Sequence, residues 1–154
     1  MDKYDFMRLA LEQARLSADE GEVPVGAVVV RNGEVVSYGR NRREKEKNAL
    51  CHAEIEAIDG ACKALGGWRL WECEMYVTLE PCPMCAGAII NSRLKKVTYG
   101  AKDYKNGAVE SVMEMFSLPF THKPETESGV LGEECSNLLS EFFKNLREQR
   151  TNNK

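Results

Sequence analysis

No apolar stretch in the 154-residue chain approaches the roughly 20 residues needed to cross a bilayer. The longest, around Val25–Val30, is strand-sized. The N-terminus, Met1-Asp2-Lys3-Tyr4-Asp5, lacks the basic-then-apolar profile of a secretory signal. Internal repeats, low-complexity linkers and shifts of composition that would mark a domain boundary are also missing. With 43% hydrophobic and 29% charged residues, membrane, collagenous and disordered classes are excluded. A single domain spanning 1–154 and a cytoplasmic location without membrane contact are expected.

Strong charge of one sign is lacking too: 21 basic residues face 24 acidic ones, for a net charge of −3. The whole molecule therefore does not read as a polyanion binder. Two local runs depart from that average. Arg40, Arg42, Arg43, Lys45 and Lys47 outnumber Glu44 and Glu46 over residues 40–47, and Arg93, Lys95, Lys96, Lys102 and Lys105 outnumber Asp103 over 93–105. Such runs are ordinarily solvated faces, and gain meaning only beside a site that takes phosphates.

Six cysteines stand at 51, 62, 73, 82, 85 and 135. Without an export signal or a loop-rich disulfide framework, a reducing compartment fits them better than disulfides. Cys62, Cys73 and Cys135 lie in apolar patterns and read as buried small hydrophobes. Only Cys82 and Cys85 have an informative spacing.

Met7, Ala10, Leu11, Ala14 and Ala18 recur on one face and predict a helix over 3–20, ended by Gly21. Val25–Val30 reads as a buried strand, and Asn32-Gly33 as the tight turn to a partner strand at 34–38. Residues 40–48 are a loop. Ile55, Ile58, Cys62 and Leu65 give a helical pattern from His52 to Leu65. A third strand covers 75–79, a short helix with proline in its first turn covers 83–92, and a fourth strand covers 96–100. A short helix is expected over 109–116, irregular chain over 117–128, and a last helix carried by Cys135, Leu138, Leu139, Phe142, Phe143 and Leu146. The alternation predicts an α/β sandwich, a mixed sheet with helices on both faces.

Three pieces carry chemistry: His52-Ala53-Glu54, Pro81-Cys82-Pro83-Met84-Cys85, and the strand delivering the cysteines. Separately each is ambiguous. A His-x-Glu at a helix start is usually helix-end electrostatics, and a Cys-x-x-Cys is redox-active, half of a structural zinc site, or accidental. A structural site needs four protein ligands, and with two histidines in the chain it would recruit the distant His122. Together, His52, Cys82 and Cys85 supply three ligands and leave the fourth zinc position open, as in catalytic sites. Helix N-termini lower thiol pKa and favour the thiolates a metal needs. Glu54, two residues beyond His52, is placed to move a proton between water and substrate without being a ligand. One zinc ion per subunit is expected. A thioredoxin-like redox role would leave His-Ala-Glu unexplained. The pattern is similar to the His-x-Glu…Pro-Cys-x-x-Cys signature of zinc nucleobase deaminases.

From Glu22-Val23-Pro24-Val25-Gly26-Ala27 through Cys51–Glu54 and Tyr76–Ile89 to Phe142–Arg147, over about residues 4–150, the chain resembles the bacterial tRNA-specific adenosine deaminases of the cytidine-deaminase-like superfamily. The zinc motifs specify only the superfamily. The C-terminal helix and Gly100-Ala101-Lys102-Asp103 point to the tRNA branch. The resemblance implies a three-layer α/β/α sandwich with about five strands, a homodimer, and hydrolysis of adenosine to inosine at the wobble position of an arginine tRNA anticodon stem-loop. It implies that Asn41 hydrogen-bonds the flipped adenine, that Val25 and Ala53 line its pocket, and that Asp103 and Lys105 meet the neighbouring ribose and phosphate. Phe143 and Arg147 would contact the anticodon loop. The alternative roles are core packing for Phe143, a loop turn for Asn41 and a solvated charge for Arg147.

Three positions depart from the family pattern: Glu110 where glycine is common, Glu114 where Asn or Asp is common, and Thr121 where Asn precedes histidine. All fall in segments expected to face RNA, where an added carboxylate weakens phosphate binding. They keep open a deaminase of free nucleobases or nucleosides, such as guanine or cytosine, on the same scaffold. A non-catalytic RNA-binding or dimerisation subunit is the third reading, and the complete His52, Glu54, Cys82 and Cys85 set argues against it.

Overall fold

The computed structural model describes residues 1–152; residues 153–154, the end of the expected single domain, lie outside the described residues. Helix α1 (Lys3–Asp19) opens on Asp2, whose carboxylate accepts from the N–H groups of Tyr4 and Asp5, while the Asp5 carboxylate accepts from the Asp2 N–H. This capping box satisfies donors that the first helical turn leaves free. Strands β1 (Gly26–Arg31) and β2 (Glu34–Arg40) form the expected hairpin. Asn32 and Gly33 both take positive φ, +50° and +77°, as a two-residue turn of this hand requires. Helix α2 (Ala53–Leu65), strand β3 (Cys73–Leu79), helix α3 (Pro83–Asn91) and strand β4 (Lys96–Ala101) follow. A 3-10 turn (Met115–Ser117), strand β5 (Glu125–Ser128) and helix α4 (Gly132–Asn152) complete the described chain.

The strands form one sheet in the order β2-β1-β3-β4-β5. β1 is antiparallel to β2 and β3, whereas β3, β4 and β5 run parallel. Phe6, Met7 and Leu11 of α1 and Cys135 of α4 pack with Val28, Val30 and Tyr76 on one face. Ala53, Ala57 and Ala61 of α2 and Ile89 of α3 pack with Val29, Met75, Val77 and Val97 on the other. The result is the α/β/α sandwich with a mixed sheet that the chain's pattern predicts.

Four local expectations are corrected. The buried stripe of α2 is Ala53, Ala57 and Ala61, not the larger Ile58, Cys62 and Leu65, and Leu65 is exposed. The helix lies so close on β2 that a Cβ on Gly39 would overlap the Ala53 carbonyl, so only alanine fits between them. Residues 109–114 form turns and irregular chain, not a continuous helix, wrapped around the buried Glu80 carboxylate, which accepts from the N–H groups of Val109, Glu110 and Ser111, and a 3-10 turn begins only at Met115. Residues 117–128 contain β5, whose Glu-Thr-Glu-Ser sequence carries no apolar alternation. It is held by pairing to β4 and by ion pairs of Glu127 with Lys3 and Lys96. In α4 only Cys135 is buried, leaving Phe143 exposed.

β3 and β4 end side by side and deliver Glu80-Pro81-Cys82 and Lys102 to one edge. Ligand crevices of open parallel sheets form at such carboxyl ends.

Candidate active site

His52 occupies the N-cap of α2 in extended conformation, with Ala53 and Glu54 in the first turn. Cys82 occupies the N-cap of α3, with proline at the next position, and Cys85 lies buried in its first turn. Two helix N-termini therefore converge. His52 Nδ1 lies 3.7 Å from Cys82 Sγ and 3.6 Å from Cys85 Sγ, and the three ligand atoms fall within 4.8 Å of one another. A tetrahedral zinc ion with bonds of about 2.3 Å to sulfur and about 2.05 Å to nitrogen sets N···S separations of about 3.6 Å. The donor set and its spacing fit that ion. His122 is not among these donors; its Nε2 pairs with the Leu94 carbonyl at 2.6 Å, just before β4.

The two thiols differ sharply. Cys82 is pulled down to about 4, first by the hydrogen bond from the Cys85 thiol and then, against burial, by His52. Cys85 is raised by its pairing with Cys82 and by burial. The sulfurs thus share a proton that a coordinated cation displaces. Glu54 is 4% exposed, and burial, with the Cys82 sulfur nearby, pushes its carboxyl up to about 7.

His52, Glu54 and Cys82, though not the buried Cys85, line a cavity of about 670 Å³ together with Val25, Asn41, Ala53, Asp103, Lys105 and Phe143. Arg147 is not in that lining; it lies farther along α4 in a shallow depression with Lys144 and Glu148. Asn41 is buried and tied into the scaffold. Its Nδ2 donates to the Val23 carbonyl at 3.1 Å and its Oδ1 accepts from the Arg43 N–H at 3.2 Å. The Ser17 hydroxyl holds its backbone carbonyl at 2.8 Å. One amide hydrogen and one oxygen lone pair remain for a ligand.

The cavity also takes Arg43 and Lys102 of the two basic runs, and Tyr104 and Leu139, which the motifs do not single out. Leu139 stands four residues before Phe143, on the same helical face, and this spacing was available in the sequence. Tyr104 lies between Asp103 and Lys105 and carries no motif of its own.

The basic runs are not two free cationic faces. Arg40 and Lys45 pair with Glu20, and Arg42 pairs with Glu56. In the second run, Lys96 pairs with Glu127 and Lys102 with Glu110. Arg93 and Lys96 stand at the start of β4, the end of the strand away from the cavity, and only Lys102 and Lys105 of that run line it. None of Glu110, Glu114 and Thr121 lines the cavity either. The Glu110 carboxylate accepts from the Tyr99 hydroxyl and lies 3.6 Å from Lys102 Nζ.

Comparison with known proteins gives a consistent picture. The model of the MafB19-like deaminase family matches residues 1–147. The tRNA-specific adenosine deaminase of Bacillus subtilis (strain 168) is 49% identical over 146 residues, covering 94% of this chain and 91% of the relative. A structure solved in biochemical and structural studies of A-to-I editing by tRNA:A34 deaminases superimposes with a TM-score of 0.86 at 46% identity, covering 88% of this chain and 99% of that one. A guanine deaminase from Nitrosomonas europaea shares the fold, with a TM-score of 0.81 at 23% identity over 92% of this chain and 84% of the other.

Proposed function

The chain belongs to the family of tRNA-specific adenosine deaminases, and we propose that it hydrolyses adenosine to inosine and ammonia at the wobble position of a tRNA anticodon, that of an arginine tRNA in the first instance. The observation that supports this most directly is the convergence of His52, Cys82 and Cys85 beside buried Glu54 in a cavity whose lining includes Asp103, Lys105 and Phe143. The cavity is large enough for a base extruded from a single-stranded loop, and extrusion from such a loop is cheap.

His52, Cys82 and Cys85 would hold one zinc ion, which when bound lowers the pKa of water toward 7. Glu54 takes a proton from the attacking water, delivers it to N1 of the adenine as the C6 centre becomes tetrahedral, and passes a proton to the amino group that leaves as ammonia. Asn41 uses its remaining donor and acceptor on the base edge, with Val25 and Ala53 against the ring. Asp103 and Lys105 meet the adjoining ribose and phosphate, and Phe143 the anticodon loop; Arg147 contacts RNA only beyond the cavity. We assign the protein to the cytoplasm as a homodimer, and a monomer mass in light scattering at micromolar concentration would refute the dimer.

Nucleoside mass spectrometry tests the reading. An anticodon stem-loop carrying wobble adenosine is incubated with wild type and with Glu54→Ala, with free adenine, adenosine, guanine, guanosine, cytosine and cytidine in parallel. Inosine from the stem-loop with wild type alone is expected, falling steeply as salt rises. Amine loss from a free base without inosine from the stem-loop would overturn the tRNA assignment.

A further inference from the structure

Tyr104 is the most exposed of the large apolar side chains, with 79% of its surface open, yet it stands at the mouth of the cavity between Asp103 and Lys105. An aromatic ring in that position is unusual on two counts. It buries little against the protein, and its backbone is rigid. The Asp103 N–H donates to Glu80, the N–H groups of Lys105 and Asn106 donate to the Asp103 carboxylate, and the Gly107 N–H donates to the Asp103 carbonyl. The next N–H, of Ala108, is held by the Pro81 carbonyl. The backbone beside Tyr104 is thus held at Asp103, Lys105, Asn106, Gly107 and Ala108 while its ring faces solvent, with Lys102 and Lys105 in the same lining.

We propose that Tyr104 is a stacking platform for an unpaired base adjacent to the nucleotide in the cavity, a contact that rests on the RNA-loop reading of the site. An exposed ring on a hydrogen-bonded backbone offers a face to any nucleobase, and the backbone that carries it is already ordered in the free protein. The ammonium group of Lys105 attracts the backbone that carries that base, while that of Lys102 is shared with Glu110. The target nucleotide leaves the loop's stack on entering the cavity, so its neighbour loses one stacking partner. Tyr104 replaces that partner at the mouth, which makes it a determinant of binding and not of the chemical step.

The test uses full-length wild type, Tyr104→Ala and Tyr104→Phe, with the intact stem-loop and stem-loops abasic at one position or the other beside the target adenosine. Tyr104→Ala should raise KM about tenfold, with the change in KM and not kcat, while Tyr104→Phe stays within about twofold of wild type. An abasic site at the stacked position should cost wild type a similar factor and Tyr104→Ala almost nothing further. Equal KM for Tyr104→Ala and wild type, or fully additive losses at both abasic positions, would overturn the proposal. So would a shift in light-scattering mass in place of a shift in KM, which assigns the ring to a protein contact. Fluorescence anisotropy with labelled stem-loop reads the same ratios without turnover. RNA bound through Tyr104 but not deaminated sinks the functional reading alone, and RNA not bound at all sinks both.

Discussion

The carboxylate of Glu80 occupies the space that a side chain at Gly107 would need: a Cβ there would overlap it. Glu80 is 2% exposed and accepts from the N–H groups of Asp103, Val109, Glu110 and Ser111 and from the Ser111 hydroxyl. One buried acid at the end of β3 therefore folds the whole 103–111 segment around itself. Burial alone would push this carboxyl up, but the donors from Glu110, Ser111 and Asp103 outweigh it and hold it below the usual range.

Glu80→Gln should lower the free energy of unfolding by about 3 kcal/mol, because the amide keeps one acceptor and turns an N–H pair toward backbone donors that are left unsatisfied. Gly107→Ala should be of similar size through overlap. Urea denaturation at neutral pH checks both, and a loss below about 1 kcal/mol for either would contradict this account of the loop.

Glu110 concerns the RNA more than the fold. Its carboxylate engages Tyr99 and Lys102, so its charge is largely spent within the protein, and the cost to a phosphate is a cation withheld more than an anion added. Glu110→Gln should release Lys102 toward the cavity mouth. Stem-loop affinity should then rise about two- to fivefold at low salt, and the dependence on salt should steepen. Filter binding across a salt series reads both, and an unchanged slope would mean that Lys102 faces no phosphate.

The parts of this architecture that were legible in the chain are those written in local chemistry. Asn32-Gly33 specifies a hairpin because few other pairs tolerate two positive φ angles, and His52, Cys82 and Cys85, each ambiguous alone, stand out because together they supply three metal ligands with Glu54 beside them. The parts that were not legible depend on partners far away in sequence. The 109–116 stretch has helical composition, but its path is set by Glu80, about 30 residues earlier, around which the N–H groups of Val109, Glu110 and Ser111 gather. The strand Glu125–Ser128 looks like loop because its stabilising contacts are the β4 edge, Lys3 and Lys96. Apolar size misidentified the buried face of α2, where a close approach to β2 selects alanine. Arg40, Arg42 and Lys45 counted as free charge only until Glu20 and Glu56 came beside them.

Metal removal gives a direct check on the His52–Cys82–Cys85 cluster. Purified protein should carry about one zinc per chain by elemental analysis. A strong chelator should lower the thermal midpoint by several degrees, since a ligand that binds only the native state stabilises it by mass action. His52→Ala combined with Cys82→Ala should abolish the bound zinc. Full zinc occupancy in that double variant would place the metal elsewhere.

Cys135 should make the fold sensitive to alkali. The residue is 1% exposed and its thiol packs so tightly on Gly100 that a Cβ there would overlap the sulfur. Burial, with the nearby charge of Glu134, pushes the thiol up to about 12 from its ordinary value of 9.0. The folded state therefore holds a proton that the unfolded chain releases near pH 9. This contribution is fully present below that pH and is lost as pH rises toward 12, at up to about 1.4 kcal/mol per pH unit. Cys135→Ala removes the titration while leaving the other alkaline groups in place. It starts less stable at pH 7 because of the cavity it leaves, but its stability should fall less steeply than that of wild type between pH 9 and 11. Urea denaturation across that range measures the two slopes, and parallel curves would show that the buried thiol is not what alkali attacks.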